Sequence, residues 1–241
     1  MTGSAPIKLP TIEEMLKAGV HFGHQLKRQD PRMKKYVYGI EEKTHVIDIY
    51  KTEKQLEKAC DFLHEVAKAG KQIVIVGTKR QAGEYVKKYA KKAGVMYVTE
   101  RWLGGTFTNF ESVEANWKEL LKLKEELKVG KYDHYTKKER LLIERKIAKL
   151  ETNVGGIVEM KRFPGAIIVI DVKRERTAVR EANAVKVPVV GIVDTNSDPR
   201  NINYLVPAND DGLKSIELIL SAMTDAIIKG NKEWILQSSK N

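Results

Sequence analysis

Cysteine is almost missing from this chain: of 241 residues only Cys60 carries a thiol, so no internal disulfide can form. Cys60 lies among Leu56, Ala59, Leu63 and Ala67 at helical spacing, which marks a buried packing residue rather than a nucleophile. Long apolar runs are missing too. No window approaches the roughly 18 consecutive apolar residues that a membrane-crossing helix needs, so no membrane partner is expected. Residues 1–10 hold one lysine and no apolar stretch, unlike a secretory leader. The chain therefore reads as cytoplasmic. The fingerprints of nucleotide chemistry are also lacking. A run of β-branched residues at 73–76 opens through Gly77, but neither G-x-G-x-x-G nor G-x-x-x-x-G-K-[ST] follows, because Gly83 is followed by Glu84. There is no H-E-x-x-H, no nucleophile elbow, and no cysteine near His21 and His24 to complete a zinc site. The composition gives no support to an enzyme.

Positive charge is what the chain has in excess. Lys and Arg number 43 against 32 Asp and Glu, for a net charge of +11. The excess is local. Residues 68–92 hold eight bases against Glu84 alone, and residues 1–40 hold seven bases against three acids, whereas residues 163–241 are neutral. A polyanion-binding face requires charge gathered in this way, although a solvated lysine surface has the same composition. The candidates to neutralise RNA phosphates are Lys27, Arg28, Arg32, Lys34 and Lys35 in the first segment. In the second they are Lys79, Arg80, Lys87, Lys88 and Lys91.

Periodicity gives the framework. Thr11 can cap a short helix ending near Gly19, and residues 20–33 read as a loop. Residues 36–40 and 45–50 suggest paired strands, and Thr52 a cap for a helix reaching Ala69. Strands are expected at 72–76, 95–98, 166–170, 189–193 and 201–205, with helices at 80–93, 174–185 and 213–228. Thr78 is placed to cap the helix at 80–93. Alternating strands and helices predict an α/β fold, a doubly wound, flavodoxin/Rossmann-like parallel sheet. Residues 110–155 break the alternation with two charged helical stretches, whose narrow apolar stripes (Val113, Trp117, Leu120; Ile143, Ile147, Leu150) predict an inserted antiparallel helical hairpin separable from the body. The expected organisation is thus a flexible tail at 1–10, an RNA-binding α/β body at 11–109 and 156–229, the inserted hairpin at 110–155, and a second tail at 230–241.

Three loops carry polar chemistry. In Arg101-Trp102-Leu103-Gly104-Gly105-Thr106-Phe107-Thr108-Asn109 a paired glycine turn sits amid Arg, Trp, Phe and Asn, which suits RNA contact by Arg101 and Trp102. Trp102 and Phe107 plugging the base of a tight junction is the plainer alternative. Asp171 and Asp194 lie at strand ends where α/β enzymes place their chemistry, but residues 194–199 and 209–212 read first as turn and capping chemistry.

Five segments then resemble one family: residues 15–24 (MLKAGVHFGH), 76–82 (VGTKRQA), 101–109 (RWLGGTFTN), 191–199 (GIVDTNSDP) and 206–211 (VPANDD). In this order they are similar to the bacterial small ribosomal subunit protein two family, over about residues 11–228. The resemblance implies a flavodoxin-like domain with a helical-hairpin insertion and no catalysis. It implies a place between head and body of the small subunit, contact with small-subunit ribosomal RNA, and neighbouring small-subunit proteins as partners. It also implies help in docking small ribosomal subunit protein one, which gathers messenger RNA. His24, Asp194 and Asp211 match positions implicated in a metal site for Zn or Mg. A sugar-phosphate isomerase-like or dinucleotide enzyme on the same sheet is the rival reading, and a free-standing RNA-binding factor a third.

Overall fold

The structure, a computed structural model, describes residues 8–239, so most of the expected N-terminal tail lies outside the described residues. Helix α1 (Ile12–Lys17) is closed at its start by a reciprocal cap between Thr11 and Glu14. Strands β1 (Phe22–Gln25), β2 (Val37–Glu41) and β3 (Thr44–Ile47) form a small antiparallel sheet in the order β1-β3-β2. β1 falls inside the segment expected to be loop. Four residues with no alternation give no strand signal, and pairing to β3 supplies it. Helix α2 (Ile49–Lys68) starts earlier than Thr52 predicts, because Asp48 caps it by accepting from the Lys51 N–H at 3.3 Å. The Thr52 hydroxyl donates instead to the Pro207 carbonyl at 2.6 Å.

The main sheet holds β4 (Ile73–Val76), β5 (Met96–Val98), β6 (Ala166–Ile170), β7 (Val189–Val193) and β8 (Tyr204–Pro207), all parallel, in the order β5-β4-β6-β7-β8. Its strands are apolar on both faces and the two-residue period divides them. Ile73, Ile75, Ile168 and Ile170 pack with α2, α3 (Gly83–Ala93) and α7 (Leu213–Ser238). Val74, Val76, Ile167 and Val169 pack on the other side with α6 (Arg176–Ala184) and the start of α4 (Phe110–Lys128). This is the expected doubly wound α/β fold. β4 lies between β5 and β6, so the chain leaves it in opposite directions and a switch point opens at the carboxyl ends of β4 and β6.

Helices α4 and α5 (Lys137–Val154) are joined by residues 129–136 and linked by Lys146–Glu119 and Lys124–Glu151 ion pairs. The pair is not separable from the body at residue 110. Val113, Trp117 and Leu120 are buried in the same cluster as β4 and β6, with Val154 and Ile157 beside them. The stripe is narrow because only the end next to the sheet is covered. The last helix also overruns its expected end. α7 continues to Ser238, crossing α2 at Gly230, where a Cβ would stand 2.4 Å from the His64 carbonyl oxygen. Glu233 then meets His64 Nε2 at 3.1 Å, so packing on α2 sustains a segment with no signal of its own.

Candidate functional site

The carboxyl edge of the sheet gathers the polar loops. β1 carries one extra residue relative to β3 between the Phe22–Val46 and Gln25–Thr44 pairs, and the irregularity falls at Gly23 and His24. Only glycine fits at 23, because a Cβ would lie 2.7 Å from Thr195 Cγ2 and 3.0 Å from the His45 carbonyl oxygen. The Thr195 hydroxyl accepts from the His24 N–H at 2.8 Å. So held, the imidazole of His24 reaches Asp194 Oδ1 at 3.1 Å through Nδ1 and Asp211 Oδ2 at 3.2 Å through Nε2. The Asp194 carboxylate raises the His24 pKa against the opposing effect of burial.

His24, Asp194, Asp210 and Asp211 each place a donor atom within 4.8 Å of the others. Asp210 is the member the sequence reading omitted, because residues 209–212 read as a helix cap. No side chain caps α7; instead Asn209 Oδ1 closes the turn leading into it, accepting from the N–H groups of Asp211 and Gly212 at 2.8 and 3.0 Å. Asp210 is 1 % exposed, and its Oδ2 has no hydrogen-bond partner. Burial, with Asp171 and Asp194 nearby, pushes its pKa up to about 7. One imidazole, three carboxylates and an orphaned buried oxygen fit a divalent cation, and the nitrogen donor suits Zn²⁺ better than oxygen-seeking Mg²⁺.

Lys79 enters the same cluster. Its ammonium donates to the Asp210 carbonyl at 2.8 Å and to Asp210 Oδ1 at 3.1 Å, contacts Asp211, and stands 3.6 Å from Asp171 Oδ2. Burial would lower its pKa, but Asp211 and Asp210 outweigh that and raise it. Beside it, Glu175 accepts from the Thr78 N–H at 2.9 Å and from the Thr78 hydroxyl, which in turn accepts from Arg174 Nε at 3.0 Å. Thr78 therefore does not cap α3, whose first residue follows Ala82 with no side-chain cap. The switch-point crevice where a relative of dinucleotide enzymes would seat its ligand is thus occupied by Lys79 and its carboxylates.

The sequence-predicted bases divide by environment. Lys79 faces the acid cluster rather than solvent, because three carboxylates there need a counter-charge. Arg32 pairs with Asp30 and Asp198, and Lys88 with Glu217 at 3.2 Å. The Lys35 ammonium lies 5.0 Å over the Tyr36 ring. Lys27, Arg28, Lys34, Arg80, Lys87, Lys91 and Arg101 are exposed, with no ion pair to a described residue. Trp102 is not available for stacking. It is 6 % exposed, edge-on to Phe107, and its indole N–H donates to Glu181 at 3.2 Å. The plainer of the two sequence readings holds for it.

Glu181 is a residue the sequence reading missed. Its side chain on α6 also accepts from the N–H groups of Gly105 and Phe107 at 2.8 and 2.9 Å, so one buried carboxylate ties down the loop at 101–109. Its spacing from Ala178 and Ala182 on one helix face was the available signal.

The chain is thus a doubly wound α/β scaffold whose switch point holds Lys79 and its carboxylates and whose surface carries bases such as Arg80, Lys87 and Lys91 with no ion pair to a described residue. Residues 15–230 match the model of the family described as Ribosomal protein S2. Over 217 residues the chain is 44 % identical to "Small ribosomal subunit protein uS2" of Karelsulcia muelleri, covering 90 % of this chain and 98 % of the relative. The protein of the same name from Flavobacterium johnsoniae is 44 % identical over 219 residues, covering 91 % and 86 %. That from Bdellovibrio bacteriovorus is 44 % identical over 224 residues, covering 93 % and 72 %. The chain belongs to the ribosomal protein S2 family.

Proposed function

We propose that this chain is a structural, non-enzymatic constituent of the bacterial small ribosomal subunit, held there by ribosomal RNA through its exposed bases. Family membership supports the structural role and, with it, a cytoplasmic place. The observation that carries the RNA reading is the separation of charge in space. Asp194, Asp210, Glu175 and Glu181 are drawn inside, while Lys87 and Lys91 on the outer side of α3 and Arg80 in the turn before it are exposed, with no ion pair to a described residue. Such bases neutralise phosphates and release counterions. Arg101 is presented at the rim of the loop that Glu181 holds, and contacts should read RNA shape more than base edges.

Two finer proposals go with this reading. His24, Asp194 and Asp211, joined by Asp210, would hold a Zn²⁺ ion. The ion would supply positive charge that ties the β1 bulge to the loops after β7 and β8. The surface around it would help dock small ribosomal subunit protein one. The test of the main reading is the triple variant Arg80→Gln/Lys87→Gln/Lys91→Gln. It should fold normally and be poorly incorporated into small subunits on gradients at moderate salt. A folded variant that incorporates as well as the parent would reject the reading.

A further inference from the structure

Residues 163–241 are neutral in sequence, yet their acids and bases part company in the fold. Glu175, Glu181, Asp194 and Asp210 are buried, whereas Lys173, Arg176 and Arg180 are exposed. A segment with no net charge therefore presents a basic surface. These three bases line a groove of about 490 Å³ beside α6, where Arg28 from the loop after β1 joins them. None of the four pairs with a described carboxylate. The acids on the wall are already engaged: Asp30 Oδ2 by Arg32 at 3.3 Å, and Asp198 Oδ2 by Arg32 at 3.0 Å and Arg200 at 2.8 Å.

This placement works against the helix that carries it. A helix N-terminus repels cations, yet α6 has Arg176 in its first turn and Lys173 just before it, while the carboxylate of its N-cap residue Glu175 is turned to Thr78 and makes no capping bond. Arg176 and Arg180 are also one turn apart, a like-charge spacing that destabilises an isolated helix. Packing does not explain these side chains, because α6 meets the sheet through Ala178, Val179 and Ala182. An anionic partner does. Guanidinium forks match phosphate oxygens, and the groove has room to seat a length of backbone between them. An acidic protein segment would need exposed apolar anchors, but Val172 and Val179 in the wall are 5 % and 4 % exposed.

We infer that Arg28, Lys173, Arg176 and Arg180 form a second RNA-backbone site, across the sheet from the bases of α3. The inference rests on the ribosomal RNA reading above and adds a second, independent grip to it.

The test uses the intact chain and transcribed small-subunit ribosomal RNA. Lys173→Gln/Arg176→Gln/Arg180→Gln is compared with the α3 triple variant over a salt series, with backbone footprinting of each complex. The groove variant is expected to lose about tenfold or more in affinity and to flatten the salt slope by about two to three. It should also lose protection at nucleotides other than those lost by the α3 variant, with a thermal midpoint no lower than the parent's. A parent that binds and a folded groove variant with unchanged affinity, slope and footprint would overturn the inference while sparing the main reading. Full RNA affinity with lost binding to small ribosomal subunit protein one would overturn it in favour of a protein partner. A parent that ignores the RNA overturns the main reading itself. Single Arg180→Gln, at an exposed position, repeats the comparison if the triple variant is unstable, with an expected slope change of about one.

Discussion

Replacing Glu181 with alanine should be among the most damaging single changes in the molecule, although the residue contacts no partner in the proposed role. Its carboxylate accepts from Trp102 Nε1 and from the backbone N–H groups of Gly105 and Phe107 at 3.2, 2.8 and 2.9 Å. Trp102 and Phe107 are buried, so water cannot replace the lost acceptor without opening the loop. Each buried donor left unsatisfied costs about 1–3 kcal/mol, and two such donors set a loss of about 3–5 kcal/mol once the vacated side-chain volume is added. For a chain of this size that lowers the thermal midpoint by roughly 10 °C. Urea unfolding followed by far-ultraviolet circular dichroism and by tryptophan fluorescence at neutral pH measures it. Glu84→Ala, exposed in the first turn of α3, serves as control and should stay within about 0.5 kcal/mol of the parent. Glu181→Gln separates charge from shape: it keeps one oxygen acceptor but turns an amide donor toward other donors, and should lose less than alanine does. A Glu181→Ala variant as stable as the control would refute the role given to this carboxylate.

Trp117→Ala should cost about 3–5 kcal/mol, and removing residues 112–153 should abolish the cooperative transition, since α4 completes the second core. Glu175 has a pKa raised by burial, so it binds its proton more readily folded than unfolded. Its contribution therefore favours the native state below the ordinary carboxylate value and is lost as pH rises through the folded one. Glu175→Gln should be more stable than the parent at pH 8 and should lose that margin toward pH 4.5, as denaturant titrations at both values would show. Added Zn²⁺ at about a hundred times its dissociation constant should stabilise the parent by about 2.7 kcal/mol and leave His24→Ala unmoved in thermal scans with and without chelator.

The sheet could be read from the chain because its strands are short, β-branched and apolar on both faces, and most are followed by a helix with a clear stripe; β7 alone runs on to β8 through a loop. Chemistry at the strand ends was harder to read. Lys79 looks like one of eight bases in a basic stretch, and only the loops after β6 and β8, which bring Asp171, Asp210 and Asp211 to it, turn its charge inward. Trp102 belongs to an RNA-like motif until Glu181, 79 residues away, claims its N–H. Net charge misled in the same way. A neutral count over residues 163–241 hid exposed arginines, because counting does not separate buried acids from surface bases. Asp194 and Asp211 came from family resemblance, whereas Asp210 needed the fold to show its buried, unpartnered oxygen.

The most direct measurement is the affinity of the purified chain for small-subunit ribosomal RNA as salt is raised. If about six phosphates are engaged, log affinity should fall linearly with log salt, by a thousandfold or more between about 50 and 200 mM. Binding that is absent in dilute buffer, or unaffected by salt across that range, would contradict an electrostatic grip on the RNA backbone.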